Sequence, residues 1–317
     1  MAENPLERID GLDMLDRGGN GASRGTSKHL HLDPATFAND GAHRFVQSLR
    51  GHPLMTLPSF VELARRRPKS RVRVYNAETV TAGERLEGVA DKHGSERTLE
   101  EMVSDIEQNK TYLFIQNVEI DSIYASFVRE LLEEVKIALR ARGRKMICGW
   151  GWVFISAPNA VTPYHRDHEQ TCLMQLTGTK TVSVFPVDDR DICSEDENEF
   201  FHSQQSLQKT VYKESFQPRA RTFDLKPGDG LYMPFSAPHW VQNGPETSVS
   251  FSVTYATEDS VALERTYRMN ALLRRVGLTP KPVGGSNARD AVKQQAWRLV
   301  RQARRLLKRD RVGATRY

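Results

Sequence analysis

The sequence predicts a mainly β core, preceded by an α/β region and followed by a helical appendage. Three observations predict this arrangement. Residues 146–257 contain repeated short apolar segments separated by turns rich in glycine and proline, a pattern typical of a β-sandwich or barrel. A long segment with helical periodicity precedes this series, and two more follow it. The 317 residues are enough to bury one large core or two smaller ones.

Composition divides the chain into three parts. Residues 1–28 are rich in glycine, serine, asparagine and arginine and show no hydrophobic period, so we expect a flexible leader. Residues 29–260 are expected to form the main domain, with core strands over about 146–257. Residues 261–317 hold 15 basic and 3 acidic residues, a net charge of +12, whereas the other 260 residues hold 30 basic and 37 acidic ones, a net charge of −7. The basic C-terminal part and the acidic remainder of the chain therefore face different partners, or each other.

The region before the core mixes helical and extended patterns. Residues 59–68 predict a short helix that ends at a proline. The polar residues 78–98 predict a loop, and residues 111–120 predict a strand. A strong helix is predicted over 121–143, because an apolar residue recurs at every fourth position.

The ends of that long helix carry their own signals. Asp121 or Ser122 is expected to cap its first turn, because a short polar side chain can accept hydrogen bonds from the free amides there. Gly143 follows its last turn, where a glycine commonly adopts the left-handed conformation.

The core itself is predicted to contain six or more strands. The segments are MICGWGWVFIS, TCLMQL, KTVSVFP, RTFDL, GLYMP and SVSFSVTY. The acidic residues 194–205 interrupt this series and predict a mobile loop. After Ser260 the helical period returns, over about 260–276 and 287–309. The second of these helices has an apolar stripe that needs a partner surface, formed by Val292, Ala296, Leu299, Ala303 and Leu306.

Several classes of protein are disfavoured. No run of about 18 apolar residues is present, so no transmembrane helix is expected. The N-terminus has early acidic residues and no apolar segment, unlike a secretory signal. Cys148, Cys172 and Cys193 are few, odd in number and not spaced as a C-x-x-C pair. This argues against a disulfide framework and favours a cytoplasmic protein with inert, buried cysteines.

The segment TPYHRDHEQTCLMQLTGTK, residues 162–180, contains a candidate metal site. On a strand, His165 and Asp167 project to the same face because they are two residues apart. One imidazole and one carboxylate are two members of the 2-His-1-carboxylate triad, which binds iron and leaves positions open for oxygen chemistry. The third ligand is predicted to be His239, which opens a strand after a Pro-Gly-Asp turn. His202 is the weaker candidate, because it lies in the acidic insertion.

A second segment offers the same spacing and serves as an internal comparison. In HLHLD, the residues His29, His31 and Asp33 share one face. No lysine and no later histidine stand at matching offsets, so we expect a surface strand or turn there.

The ordered set T-P-x-H-x-D, QLTGTKTVSVFP and L-x-PGD-x-LYMP…PHWV-x-N resembles the JmjC or cupin-8 branch of iron(II)/2-oxoglutarate oxygenases. It is similar to the pattern of the asparaginyl hydroxylase that inhibits hypoxia-inducible factor, and the resemblance covers about residues 146–257. The resemblance implies a double-stranded β-helix (jelly-roll) core. It also implies that His165, Asp167 and His239 bind iron and that Thr162 and Lys180 hold 2-oxoglutarate. A lysine suits that task, because the far carboxylate of the co-substrate needs a buried cation.

The sequence also contains further candidate site residues. Thr171 stands where the hydroxylase has an asparagine, so its contact with the co-substrate is in question. Ser252 and Thr254 lie on one face of the last strand, and either is expected to complete the co-substrate site. Glu169 and Trp240 are candidate substrate contacts. The simpler interpretations place Glu169 at the mouth of the site or in solvent, and Trp240 in the core.

The implied activity is hydroxylation of a C–H bond with iron(II), 2-oxoglutarate and dioxygen. The leading substrate class is a protein or peptide side chain, followed by an RNA base such as one in tRNA, and then a small molecule. The competing hypothesis is a cupin-like regulator that binds metal without catalysis. Lys180 with Thr162 favours the enzyme, because a non-catalytic cupin needs no anchor for a co-substrate carboxylate.

The basic C-terminal helices have two interpretations. In related hydroxylases such helices form a homodimer interface, so the resemblance favours a homodimer here. Clustered arginine and lysine are also typical of contact with RNA, DNA or an anionic membrane.

Overall fold

A computed structural model describes residues 28–38, 41–94 and 98–313, with side chains described as far as residue 304. The flexible leader predicted over 1–28 therefore lies almost wholly outside the described residues.

The core consists of two antiparallel sheets. The larger one contains eight strands, in the spatial order β1 (Leu30–His31), β2 (His43–Gln47), β10 (Asp229–Met233), β7 (Gln170–Thr177), β12 (Ser248–Thr257), β5 (Met146–Ser156), β4 (Thr111–Gln116) and β3 (Val72–Asn76). The smaller one contains β6 (Val161–His165), β11 (His239–Asn243), β8 (Lys180–Val184) and β9 (Arg221–Leu225).

Alternation of side chains explains how the two sheets face each other. In β8, Lys180, Val182 and Val184 are buried, whereas Thr181 pairs with Asp224 of β9 on the opposite face. The buried positions pack against apolar residues of the larger sheet and form one core cluster across the interior. The predicted double-stranded β-helix is confirmed.

The other face of the larger sheet is also covered, which is why β12 is buried at every position. Helices α1 (Leu57–Arg66) and α4 (Ala125–Arg140) supply side chains to the core cluster on that face. Two helices of the N-terminal region are short, namely α2 (Val89–Lys92) and α3 (Leu99–Ser104). The described residues of the predicted loop over 78–98 are thus irregular apart from α2.

The predicted helix over 121–143 begins later than expected. The first residue of α4 is Ala125, and Tyr124 precedes it without a side-chain cap. Asp121 does not cap α4; its carboxylate accepts from the backbone N–H of Ile123 and binds Arg66 instead. The helix also ends earlier than predicted, at Arg140, although Gly143 takes the expected left-handed conformation with a φ of 67°.

The strand predicted over 111–120 is shorter than expected. It ends at Gln116, because Asn117 takes a left-handed conformation with a φ of 54° and starts a 3₁₀ turn over Val118–Ile120.

The prediction of a mobile loop over 194–205 is wrong. This segment forms α5 (Glu195–Gln204), whose first turn is capped by Ser194, which accepts from the backbone N–H of Glu197. The acidic residues of this turn favour a helix because they lie at its positive end. His202 is completely buried in α5, so the insertion is a packed part of the fold.

The C-terminal region contains α6 (Glu258–Arg275) and α7 (Asn287–Gly313). Helix α6 follows β12 directly, because Thr257 and Ser260 form a capping box at the end of the strand. It packs against both α5 and α7, so the chain changes from strand to helix without a linker near residue 260. Within the described parts of the chain, none of the helices combines the length and apolar character needed to span a bilayer.

Candidate metal centre

The structure brings the three predicted metal ligands together at one end of the interior. His165 ends β6 and His239 begins β11, and these two residues are paired across the two strands. Asp167 lies two residues after His165, in the connection to β7. One nitrogen or oxygen from each of the three side chains lies within 4.8 Å of the others. The predicted cluster of two histidines and one aspartate is therefore present.

Hydrogen bonds set the orientation of both imidazoles. His165 Nδ1 lies 2.7 Å from the carbonyl oxygen of Pro163, and His239 Nδ1 lies 3.0 Å from that of Ala237. A carbonyl can only accept, so each Nδ1 is the protonated nitrogen and each Nε2 carries a free lone pair. Both Nε2 atoms face Asp167, at 3.7 and 3.9 Å from its carboxylate oxygens. These distances are too long for hydrogen bonds and leave the three lone pairs available to one ion.

The surroundings keep His165 neutral. Burial lowers its pKa to about 4, and the neighbouring His239 lowers it as well, while Asp167 and the carbonyl of Pro163 act in the opposite direction. A neutral imidazole is the form that binds a metal ion. Near pH 7 the site therefore needs no deprotonation of His165 before binding.

Asp167 is oriented by Thr171, the residue that differs from the family pattern. The hydroxyl of Thr171 donates to Asp167 Oδ2 over 3.3 Å. Thr171 belongs to β7 and pairs with Thr254 of β12. The observed role of Thr171 is thus support of the aspartate ligand, and a direct contact with a co-substrate stays a prediction.

Lys180 is a buried cation that faces the same interior. Only 6% of its surface is exposed, and within the described part of the chain it has neither a salt bridge nor a hydrogen bond from its amine. Burial alone lowers its pKa to about 7. A buried amine without a partner is costly, so this site is stabilised by any ligand that brings a carboxylate to it.

Polar groups from both sheets surround the interior near Lys180. Thr162 shares a hydrogen bond of 2.9 Å with the hydroxyl of Tyr112. Asn243, which is paired with Lys180 across β8 and β11, donates to the Ser156 hydroxyl over 2.6 Å. Burial raises the pKa of Tyr112 to about 12, so it stays a hydrogen-bond donor. These groups can bind the oxygens of a small dicarboxylate.

Sequence reasoning missed Tyr112 and Asn243. Asn243 lies four residues after His239, on the inward face of the same strand, and that period-two spacing is a usable signal. Tyr112 has no such signal, because it comes from a strand of the N-terminal region that reaches the site only through β5.

The two candidates on β12 are placed differently. Ser252 is 1% exposed and its hydroxyl has no hydrogen-bond partner among the described residues. Thr254 accepts a hydrogen bond of 2.7 Å from the indole N–H of Trp152. Ser252 is therefore the one of the two whose hydroxyl is left to contact a ligand.

Glu169 is more buried than the sequence suggested. It was expected at the mouth of the site or in solvent, but only 7% of its surface is exposed. Burial raises its pKa to about 8, and the carboxylates of Asp167 and Glu264 raise it too. The prediction of a solvent position is wrong because α6, which carries Glu264, covers this side of the core.

Trp240 and His202 lie away from the ligand cluster. Trp240 follows His239 on β11, so it projects to the opposite face, where its indole N–H donates to Gln217. This placement does not support a contact with a substrate bound at the cluster. His202 stacks between Phe235 and Tyr267 and is not part of the ligand set.

The comparison segment HLHLD contains no metal cluster among the described residues. It forms the edge strand β1, as expected, and His31 is exposed. His29 differs from the expectation, since it is buried with its ring 5.3 Å from that of Phe127.

This chain is similar to a known protein family and to several solved structures. A family described as a cupin-like domain matches residues 32–270, which is more than half of the chain. A solved structure of Escherichia coli YcfD is 13% identical in sequence, with a TM-score of 0.47. The match covers 86% of this chain and 68% of the YcfD chain. A second structure, described as the ribosomal oxygenase YcfD from Escherichia coli with cobalt and 2-oxoglutarate, is 16% identical over 86% of this chain and 67% of its own, with a TM-score of 0.46. Comparison with curated proteins gives no match.

Proposed function

This chain belongs to the cupin-like domain family, and on that premise we propose that it is an iron(II)- and 2-oxoglutarate-dependent dioxygenase. The proposed reaction is hydroxylation of a C–H bond. The observation that carries the proposal is the joint presence of two features in one interior. The His165, Asp167 and His239 cluster lies at one end of the paired strands β8 and β11, and the buried amine of Lys180 lies at the other.

The donor set fits iron(II). Two imidazoles and one carboxylate form a triad that leaves coordination positions open. Both Nδ1 atoms are already bound to backbone carbonyls, which fixes the rings before an ion arrives. When bound together, iron(II) and 2-oxoglutarate supply the activation of dioxygen that hydroxylation requires.

The protein's own groups divide the remaining work. Lys180 and Tyr112 provide a cation and a hydroxyl for the far carboxylate of the co-substrate. The side chain of Asp167 is 33% exposed, whereas those of His165 and His239 are 10% and 5% exposed. The ligand set therefore meets solvent on the Asp167 side, and a substrate reaches the metal from there.

The competing function is a cupin-like protein that binds metal without catalysis. It gives no reason for an unpaired lysine inside the core, because a buried amine without an anionic ligand only destabilises the fold. This cost is the argument for the enzyme.

Turnover of 2-oxoglutarate without a substrate tests the proposal. Protein loaded with iron(II) under anaerobic conditions is mixed with 2-oxoglutarate and then with oxygen, and succinate is measured. We expect succinate above the level of metal-free protein, and a change in the iron(II) absorption spectrum when 2-oxoglutarate is added before oxygen. Absence of both signals from iron-loaded protein would support the non-catalytic cupin.

The proposed substrate is a protein or peptide side chain, in line with the resemblance to an asparaginyl hydroxylase. An RNA base and a small molecule are the alternatives. Incubation of the active enzyme with peptide and tRNA pools, followed by mass spectrometry, separates them by which pool gains oxygen. A cytoplasmic location also belongs to the proposal, since the three cysteines are free, as is usual in a reducing compartment.

We further propose that the protein is a homodimer formed through α7. On this helix Val292 and Leu299 are 69% and 67% exposed, and both belong to the predicted apolar stripe. Exposed apolar side chains that line up along a helix are stabilised by a second apolar surface. A second copy of the same helix supplies one, with the basic residues remaining at the sides.

Leu299→Arg is expected to convert the dimer to a monomer, because it places a charge in the centre of the stripe. Light scattering coupled to size exclusion measures the mass. Gln302→Arg is the matched control, since it adds the same charge at an exposed position beside the stripe and is expected to leave the dimer intact. A monomeric wild type that binds RNA, with an affinity that falls steeply with salt, would favour the nucleic-acid interpretation instead.

A further inference from the structure

Arg166 lies between two metal ligands but points away from them. It separates His165 from Asp167 in the sequence, and it is 4% exposed on the outer side of the ligand segment. Its guanidinium carbon lies 4.6 Å from the centre of the Phe201 ring in α5. Its Nη2 donates to Asn198 Oδ1, also in α5, over 2.6 Å. The segment that carries His165 and Asp167 thus contacts α5, the helix of the acidic insertion.

The same guanidinium reaches the segment that carries the third ligand. Arg166 Nε donates to the carbonyl oxygen of Ser236 over 2.9 Å. The next residue, Ala237, provides the carbonyl that accepts from His239 Nδ1. One side chain therefore connects the backbone of His165 and Asp167 with the backbone that orients His239.

Ser236 is a position of backbone strain. Its φ is 59°, in the left-handed region, which is unfavourable for a residue other than glycine because the Cβ atom lies too close to a backbone carbonyl oxygen. The serine side chain does not compensate for this, because its hydroxyl is buried without a hydrogen-bond partner among the described residues. The bond from Arg166 to the Ser236 carbonyl is a contact that holds the strained conformation in place.

We propose that Arg166 is a positioning residue, which holds the carbonyl of Ala237 where it orients His239 and thereby sets the affinity and geometry of the metal site. The inference rests on the proposed metal-dependent function. It also gives the acidic insertion a role, since α5 supplies the surface against which Arg166 is fixed. Arg166 itself does not contact the metal, the co-substrate or a substrate.

Cobalt(II) binding to the metal-free protein tests this role, with the affinity and the visible absorption spectrum as readouts. For Arg166→Gln we expect an affinity lower by roughly 10- to 100-fold, as is usual when a group that orients a ligand is removed, and an altered spectrum. Arg166→Lys keeps the buried charge above Phe201 but lacks the Nε donor, so we expect the same direction of change. It is the variant to measure if Arg166→Gln does not fold.

A second substitution separates positioning from general stability. Glycine adopts a positive φ without the penalty of a side chain, so Ser236→Gly added to Arg166→Gln is expected to recover most of the lost affinity. Arg274→Gln is the matched control. It removes a different bond to α5, between Arg274 Nε and Glu199 at 2.6 Å, without touching Ser236, and is expected to leave cobalt binding unchanged.

The outcomes distinguish the two proposals. Wild-type affinity and spectrum in the folded Arg166 variants would overturn the positioning role and leave the metal site standing. Equal losses in the Arg166 and Arg274 variants, with no recovery from Ser236→Gly, would also overturn it, because both residues would then act only through packing of α5. Failure of the wild-type protein to bind cobalt would overturn the metal site, and the positioning role with it.

Discussion

Asp167→Ala is expected to abolish metal binding and, with it, the iron-dependent formation of succinate. Asp167 supplies the only carboxylate of the three-residue cluster found among the described residues, and two imidazoles cannot replace its charge. The loss of metal affinity should exceed the roughly 10- to 100-fold that removal of an orienting neighbour costs. Titration with cobalt(II) and measurement of succinate after iron loading report the two effects.

The fold should survive this substitution. Asp167 is partly exposed, and its carboxylate accepts a hydrogen bond from Thr171. Its removal also takes away a negative charge that acts on the buried Glu169. We therefore expect a melting temperature close to that of the metal-free wild type.

Asp33→Ala is the matched control for Asp167→Ala. Asp33 occupies the same position in the second histidine-x-aspartate segment, where it caps a turn by accepting from Ala35. Full metal binding and turnover are expected in this variant. Turnover retained by Asp167→Ala would remove the assignment of the triad.

The metal ligands were predictable because their signals are local. His165 and Asp167 are two residues apart on an extended segment, and His239 follows a Pro-Gly-Asp turn and a second break. Period-two spacing places such residues on one face whatever the rest of the chain does. Lys180 was predicted through the family resemblance, which implies a lysine fifteen residues after His165; its own neighbours in the sequence fit a solvated strand equally well.

The remaining parts of the site depend on contacts between distant segments, which local patterns do not encode. Tyr112 reaches Thr162 only because β4 pairs with β5 and extends the larger sheet. Glu169 is buried because α6 packs over it, although its own neighbours in the sequence are polar. The acidic insertion has local signals for a helix in Ser194 and its acidic first turn, but its packing on α6 adds a stabilisation that its composition does not reveal.

Lys180→Met is expected to weaken 2-oxoglutarate binding strongly while leaving cobalt or iron binding intact. The amine is the buried cation that a carboxylate would meet in this interior. A hydrogen bond to a charged group contributes about 1.5–3 kcal/mol, which corresponds to roughly a 10- to 150-fold higher Kd. The co-substrate concentration needed for half-maximal succinate formation measures the change. The melting temperature of the metal-free protein should not fall, because methionine removes a buried amine without opening a large cavity.

The pH dependence gives this prediction a second, independent readout. Burial lowers the pKa of Lys180 to about 7 in the free protein, so the amine is charged below that pH and increasingly neutral above it. Binding of a dianion favours the charged form, and above pH 7 it must therefore take up a proton. The affinity of the wild type should fall as the pH rises through and above 7, by at most about tenfold per pH unit for one proton. Lys180→Met should not show this dependence.

Lys226→Met is the control that separates a specific anchor from general charge. Lys226 is exposed and follows Leu225, the residue paired with Lys180 across β8 and β9. Removing its charge should change 2-oxoglutarate affinity by less than about tenfold, since exposed charges are screened by solvent and salt. An unchanged co-substrate requirement in Lys180→Met would mean that another cation binds the far carboxylate. The buried amine would then have no ligand, and the main argument against a non-catalytic cupin would be lost.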